Sequence, residues 1–173
     1  MRDKKMKTEI PSFPSVVHTE SFFEESGTLL HELAKRNQVP LSLAVIDIDD
    51  LGVINEIHGK TYGDTVIQKT AEAISKNCRK SDLVGYLGEG KFALLLYNIS
   101  GINADIMLNT LRQKLDYSLN SDKKEFPDKK SVSIGATMLY SHSNKEKFDQ
   151  LYDKAFIATN RAKASGKDRV VIL

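Results

Sequence analysis

Hydrophobic positions recur along this chain with two different periods. From Glu20 to Asn37, Phe22, Phe23, Leu29, Leu30, Leu33 and Ala34 fall at helical spacing, and Thr19 or Ser21 can cap the start. Gly27 weakens that helix slightly. Leu41–Ile48 is apolar on both faces, as a central strand covered from two sides must be. Asp64 is placed to cap a second helix with Val66, Ile67, Ala71 and Ile74 on one face. Two strand-like runs, Leu83–Leu87 and Lys91–Tyr97, flank Gly88-Glu-Gly-Lys91, which reads as the tight turn of a β-hairpin. A third helix opens at Asn103 and carries Met107, Leu108, Leu111, Leu115 and Leu119. Polar residues and Pro127 make Asn120 to Lys130 a loop. Val132, Ile134, Ala136 and Met138 alternate with small polar residues and predict a strand. The last helix runs from about Lys145, with Phe148, Leu151, Tyr152, Ala155 and Phe156 inward, and stops at Gly166. Arg169–Leu173 closes as a short strand. The order α-β-α-β-β-α-β-α-β predicts an α/β fold, one mixed sheet with helices packed on it.

Composition acts mainly by exclusion. The 173 residues suffice for one domain with a real core, placed at 11–173, and residues 1–10 read as a flexible basic tail or the stub of a linker. A net charge of +2 gives no electrostatic case for nucleic acid or membrane partners. Cys78 is the only cysteine, which removes disulfides and cysteine-based zinc sites and fits a reducing cytoplasm. No apolar run approaches a membrane span, and the basic N-terminus lacks the apolar segment of a signal peptide. His18, His31, His58 and His142 show no metal-ligand spacing and read as surface or loop residues.

The chemistry gathers at strand ends. Asp47-Ile-Asp49 closes the buried strand, where carboxylates in α/β sheets commonly hold a divalent cation; capping the next turn is the plainer role. Asn55 and Asp64 can read a guanine edge together, the amide meeting O6 or N3 and the carboxylate accepting from N1–H and N2–H. Each alone is more often a helix cap.

Asp-Ile-Asp-x-Leu-x-x-Ile-Asn-x-x-x-Gly-x-x-x-Gly-Asp, the hairpin ending in Phe-Ala-Leu-Leu-Leu, Val-Ser-Ile-Gly-Ala, and Ala-Lys-x-x-Gly-Lys-Asp-Arg follow one another in this order. Together they resemble the GGDEF domain, from about Pro11 to Leu173. The resemblance implies a nucleotidyl-cyclase, palm-like fold: a central mixed five-stranded sheet plus the hairpin, surrounded by helices. It also implies descent from diguanylate cyclases, in which two domains face each other, each holding GTP and Mg²⁺, and make cyclic di-GMP.

The family's signature falls on Gly88, Glu89, Gly90, Lys91 and Phe92, so the second metal carboxylate is replaced by Gly90 and the acid after it by Lys91. A two-metal site needs negative charge to gather its cations, and here an ammonium is expected to point into that space. The triphosphate-binding lysine five residues after Asp47 is Gly52, and the arginine two residues before the signature is Tyr86. Pro11–His18 keeps only the apolar positions of the family's N-terminal motif. Glu89 is one residue out of place, and a one-residue shift at a hairpin turns a side chain to the other face. The resemblance therefore implies no cyclase activity, no cofactor, and a vestigial guanine-nucleotide site of Asp47, Asn55, Asp64, Lys163 and Lys167. The two lysines match phosphate-contacting positions, and would equally suit a solvated helix end.

Arg79-Lys-Ser-Asp82 stands nine residues before the signature, where the family has its inhibitory Arg-x-x-Asp site for cyclic di-GMP. An Arg fork donates to guanine O6 and N7, and a carboxylate accepts from N1–H and N2–H. An ordinary surface ion pair is the bland alternative. Lys80 and Arg112 are candidate additional contacts. The expectation is a cyclic di-GMP receptor that signals to an unidentified protein partner, with a ligand-linked homodimer as one outcome. Residual cyclase or weak GTPase activity, and a docking domain with no nucleotide, are its rivals.

Overall fold

The fold is a computed structural model that describes residues 13–99, 101–122, 128–139 and 145–173. The basic tail, Pro11, Pro127 and His142 lie outside the described residues. The elements are β1 (Val17–Thr19), α1 (Glu20–Asn37), β2 (Leu41–Ile48), α2 (Leu51–His58), α3 (Lys60–Asn77), β3 (Leu83–Gly88), β4 (Lys91–Tyr97), α4 (Gly101–Asn120), β5 (Val132–Leu139), α5 (Phe148–Ala164) and β6 (Val170–Ile172).

All six strands join one sheet in the order β1-β3-β4-β2-β5-β6. The central pairs β3–β4, β4–β2 and β2–β5 are antiparallel, while β1 lies parallel to β3 and β6 parallel to β5. The mixed α/β sheet expected from the sequence is present, and the hairpin is built into it. β1 and α2 are additions: three residues of strand and eight of helix are too short to print a period on the sequence.

β2 sits mid-sheet and every one of its residues is buried. Ala44, Ile46 and Ile48 project into one core with Val66, Ile74, Leu108 and Leu115 of α3 and α4. Leu41, Leu43 and Val45 project into a second core with Phe23, Phe148, Leu151 and Ala155 of α1 and α5. Helices thus cover both faces, which explains the unbroken apolar run.

Three details depart from expectation. Asp64 is not a cap: α3 begins at Lys60 behind Gly59, so Asp64 is its fifth residue. On α1, Phe22, Leu29 and Leu33 are exposed, whereas His31 is 1% exposed and packs 6.1 Å from the Phe148 ring. Helical spacing alone does not say how wide the covered stripe is, and α5 takes the face of Phe23, Gly27, His31 and Ala34. Gly27 earns its place by contact: a Cβ there would stand 2.5 Å from the Phe148 ring. Thr19 is the α1 cap, accepting from the Phe22 N–H.

α5 ends as expected at Gly166, whose φ of +111° closes the helix. The Gly166 N–H donates to the Lys163 carbonyl and the Lys167 N–H to that of Ala162. This turn delivers Lys163 and Lys167 to the end of β2.

Candidate functional site

The C-terminal end of β2 carries Asp47, Asp49 and Asp50, and each carboxylate is answered from within the chain. Asp49 is buried and accepts from the Ser131 and Ser133 hydroxyls, at 2.6 and 2.7 Å, and from the Asp168 N–H at 3.3 Å. It is a clasp between β2, β5 and the start of β6. Asp47 is 6% exposed, and Lys163 Nζ lies 2.7 Å from its Oδ2. Asp50, at the α2 N-cap with a φ of +56°, receives Lys167 Nζ at 2.6 and 2.7 Å on its two oxygens. That bond holds the Lys167 ammonium in its charged form, raising its pKa. Asp168 is paired in turn with Arg112 at 2.5 Å and Lys129 at 3.2 Å.

At the hairpin tip, Gly88, Glu89 and Gly90 have φ of +88°, +50° and +76°. The Gly90 carbonyl accepts from the Ile48 N–H at 3.1 Å, pinning the tip to the strand that carries Asp47. A Cβ on Gly90 would meet Leu51 Cδ2 at 2.5 Å, so both its backbone and its surroundings are fitted to glycine. The sequence expectation for Lys91 needs correcting. Lys91 Nζ turns to Glu89 Oε2 at 3.2 Å, and the ammonium that reaches Asp47 belongs to Lys163. Glu89 itself is 89% exposed, on the solvent side of the tip. Phe92 is fully buried below it. This donor set does not suit a divalent cation: Asp47 already holds an ammonium, Gly90 offers no carboxylate, and Asp49 already accepts from two hydroxyls and an amide.

Asn55 and Asp64 both line a cleft of about 850 Å³ between β1, α2, α3 and the hairpin. Gly63 admits the Asn55 amide, whose buried Oδ1 has no hydrogen-bond partner among the described residues. The Tyr86 ring stands 4.7 Å from Phe13 and 5.1 Å from Phe92, forming an aromatic wall. Burial raises the Tyr86 pKa, and the Asp64 carboxylate adds to the rise, whereas the Gly90 N–H donated to its oxygen at 3.4 Å opposes it. Lys163 and Lys167 are directed to the β2 carboxylates instead.

Arg79 and Asp82 form a closed turn between α3 and β3. The Arg79 N–H donates to Asp82 Oδ2 at 2.8 Å and the Asp82 N–H to the Arg79 carbonyl at 3.0 Å. Asp82 is half-buried, and desolvation raises its pKa against the Arg79 N–H and charge, which lower it. The Arg79 guanidinium is exposed, has no ion-pair partner among the described residues, and borders a cavity of about 500 Å³ with Pro40, Asn98, Asn103 and Met107. Lys80 beside it is exposed. Arg112 is not brought to this turn, since Asp168 holds it. Cys78, next to Arg79, is no nucleophile: burial pushes its thiol up to about 12.

Sequence reasoning missed the Lys163–Asp47 pair, the serine clasp on Asp49 and the Phe13–Tyr86 contact. Asp47 and Lys163 are 116 positions apart, and no local period links them.

A mixed sheet between helices, with the β2 carboxylates and the hairpin tip side by side, defines a nucleotidyl-cyclase type of domain. Residues 17–169 match the family model described as "Diguanylate cyclase, GGDEF domain", and the chain belongs to that family. It is 29% identical over 153 residues to the probable diguanylate cyclase DgcT of Escherichia coli strain K12, covering 87% of this chain and 32% of that protein. The chain spans about a third of the length of the curated relatives it matches. Among solved structures, the active GGEEF domain of a diguanylate cyclase from Vibrio cholerae superposes with a TM-score of 0.81 at 22% identity, over 90% of this chain and 96% of that one. The GGDEF domain of DgcB from Caulobacter crescentus, in complex with c-di-GMP, gives 0.80 at 19% identity, over 99% and 97%. Among the described residues no helix is long and apolar enough to cross a membrane.

Proposed function

We propose that this domain is a receptor for cyclic di-GMP without cyclase activity, and that it signals to a protein partner. The observation that carries the reading is the Arg79–Asp82 turn. The Arg79 N–H holds the Asp82 carboxylate and a backbone-to-backbone bond closes the turn, while the guanidinium stays exposed beside a cavity. A planar donor fork and a half-desolvated acceptor held by a backbone N–H suit the two edges of guanine. The loss of cyclase activity rests on the glycine-fitted tip at Gly90 and the ammonium of Lys163 on Asp47. Cyclic di-GMP in the DgcB complex is consistent with the ligand class.

Calorimetry with cyclic di-GMP, run beside turnover of radiolabelled GTP with Mg²⁺ or Mn²⁺, tests both halves. Binding without turnover is expected. The second reading, a residual cyclase, is favoured by relatives named as diguanylate cyclases at about 30% identity. Steady formation of cyclic di-GMP by the unaltered chain would establish it in place of the first.

A further inference from the structure

The outer side of α1 carries a row of apolar residues. Phe22, Leu29 and Leu33 recur at spacings of seven and four, which aligns them along the helix. All three are exposed, Phe22 by 47%, Leu29 by 73% and Leu33 by 43%. The row adjoins the covered stripe of Phe23, Gly27, His31 and Ala34 without sharing a residue with it. His18 stacks on Phe22 at 4.3 Å and supports the ring at the surface. We propose that this row is the contact between two copies of the chain, packed helix against helix in antiparallel sense about a two-fold axis.

Charge selects both the occupant and its direction. Glu25 and Arg36 stand eleven positions apart, about three turns, so they flank one side of the row around Leu29 and Leu33. Both are exposed, and neither has an ion-pair partner among the described residues. Lys35 and Glu32, by contrast, satisfy each other at 3.1 Å. An antiparallel second α1 sets the partner's Arg36 beside Glu25 and the partner's Glu25 beside Arg36, two ion pairs from one symmetry operation. The same register lays Leu29 against the partner's Leu33, and Leu33 against the partner's Leu29, between those pairs. Parallel pairing would oppose like charges at both positions, so electrostatics rejects it. An unrelated protein would have to bring the matching polarity, whereas a second copy carries it by construction. None of these residues lines the cleft beside the hairpin or the Arg79 cavity, so the contact uses neither and needs no nucleotide.

Sedimentation velocity of the full chain without ligand, across protein concentration at low salt, is the test. One helix pair stands at the small end of specific interfaces, so a reversible dimer with a Kd on the order of 10–100 µM is expected. Leu29→Glu should abolish the dimer and leave the melting temperature unchanged. Glu25→Arg and Arg36→Glu should each weaken it about tenfold, since one substitution alters both ion pairs. Combined in one chain, the two should restore it. A chain that stays monomeric throughout leaves the row to a different occupant and overturns the proposal. A dimer that survives Leu29→Glu, or a double charge swap no stronger than either single variant, would overturn it as well. Cyclic di-GMP is absent throughout, so no outcome bears on the receptor reading.

Discussion

Replacing Lys163 by Met should destabilise the domain far more than replacing its partner Asp47 by Asn. The two side chains form one ion pair at 2.7 Å, yet they are unequally buried, with the Asp47 side chain 9% exposed and that of Lys163 33%. Methionine keeps most of the aliphatic stem but strands Asp47 as a carboxylate inside the protein. Breaking a fully buried pair in this way costs about 3–5 kcal/mol. Because Lys163 is a third exposed, solvent already screens part of the attraction, and about 2 kcal/mol is the working figure. For a domain of this length that is a fall of about 4–8 °C in melting temperature. Asp47→Asn instead leaves an ammonium that can turn to water, so the change should stay within about 0.5 kcal/mol. Thermal denaturation followed by circular dichroism, at one pH and low salt, reads both variants. Equal losses, or two silent variants, would refute the claim that Lys163 serves as the internal counter-ion of Asp47.

Three further outcomes follow from the geometry. Arg79→Lys should weaken cyclic di-GMP binding about tenfold or more, because an ammonium cannot reproduce the planar fork, and Asp82→Asn should cost a similar amount; calorimetry on both reads this. The double change Gly90→Asp with Lys91→Glu should restore no product from GTP in a radiolabel assay. An aspartate at φ +76° is strained, its Cβ would run into Leu51, and Lys163 still holds Asp47. Burial and the nearby Lys35 charge lower the His31 pKa below 6.5, with Glu32 and Glu146 opposing. The unfolded chain then binds the proton more readily than the native one, so stability should fall as pH drops from about 6.5 toward the depressed value and level off below it. His31→Gln should flatten that slope in pH-dependent melts.

Much of this protein was legible in its residues. The doubly apolar Leu41–Ile48 announced a central strand, Gly166 announced a helix end, and the spacing of Asp47, Asn55, Asp64 and the hairpin tip placed the chain in its family. Those features are local: a period of two or 3.6, a backbone angle only glycine adopts readily, or a motif set by fixed offsets. The structure decided what depends on distant approach. Only folding brings Lys163 to Asp47, turns Lys91 away to Glu89, and gives Arg112 to Asp168 rather than to Arg79. Only packing chose which stripe of α1 was covered, burying His31 and leaving Leu29 in water. Charges and ring contacts of this kind follow from which elements meet and at what register, and a one-dimensional pattern records neither.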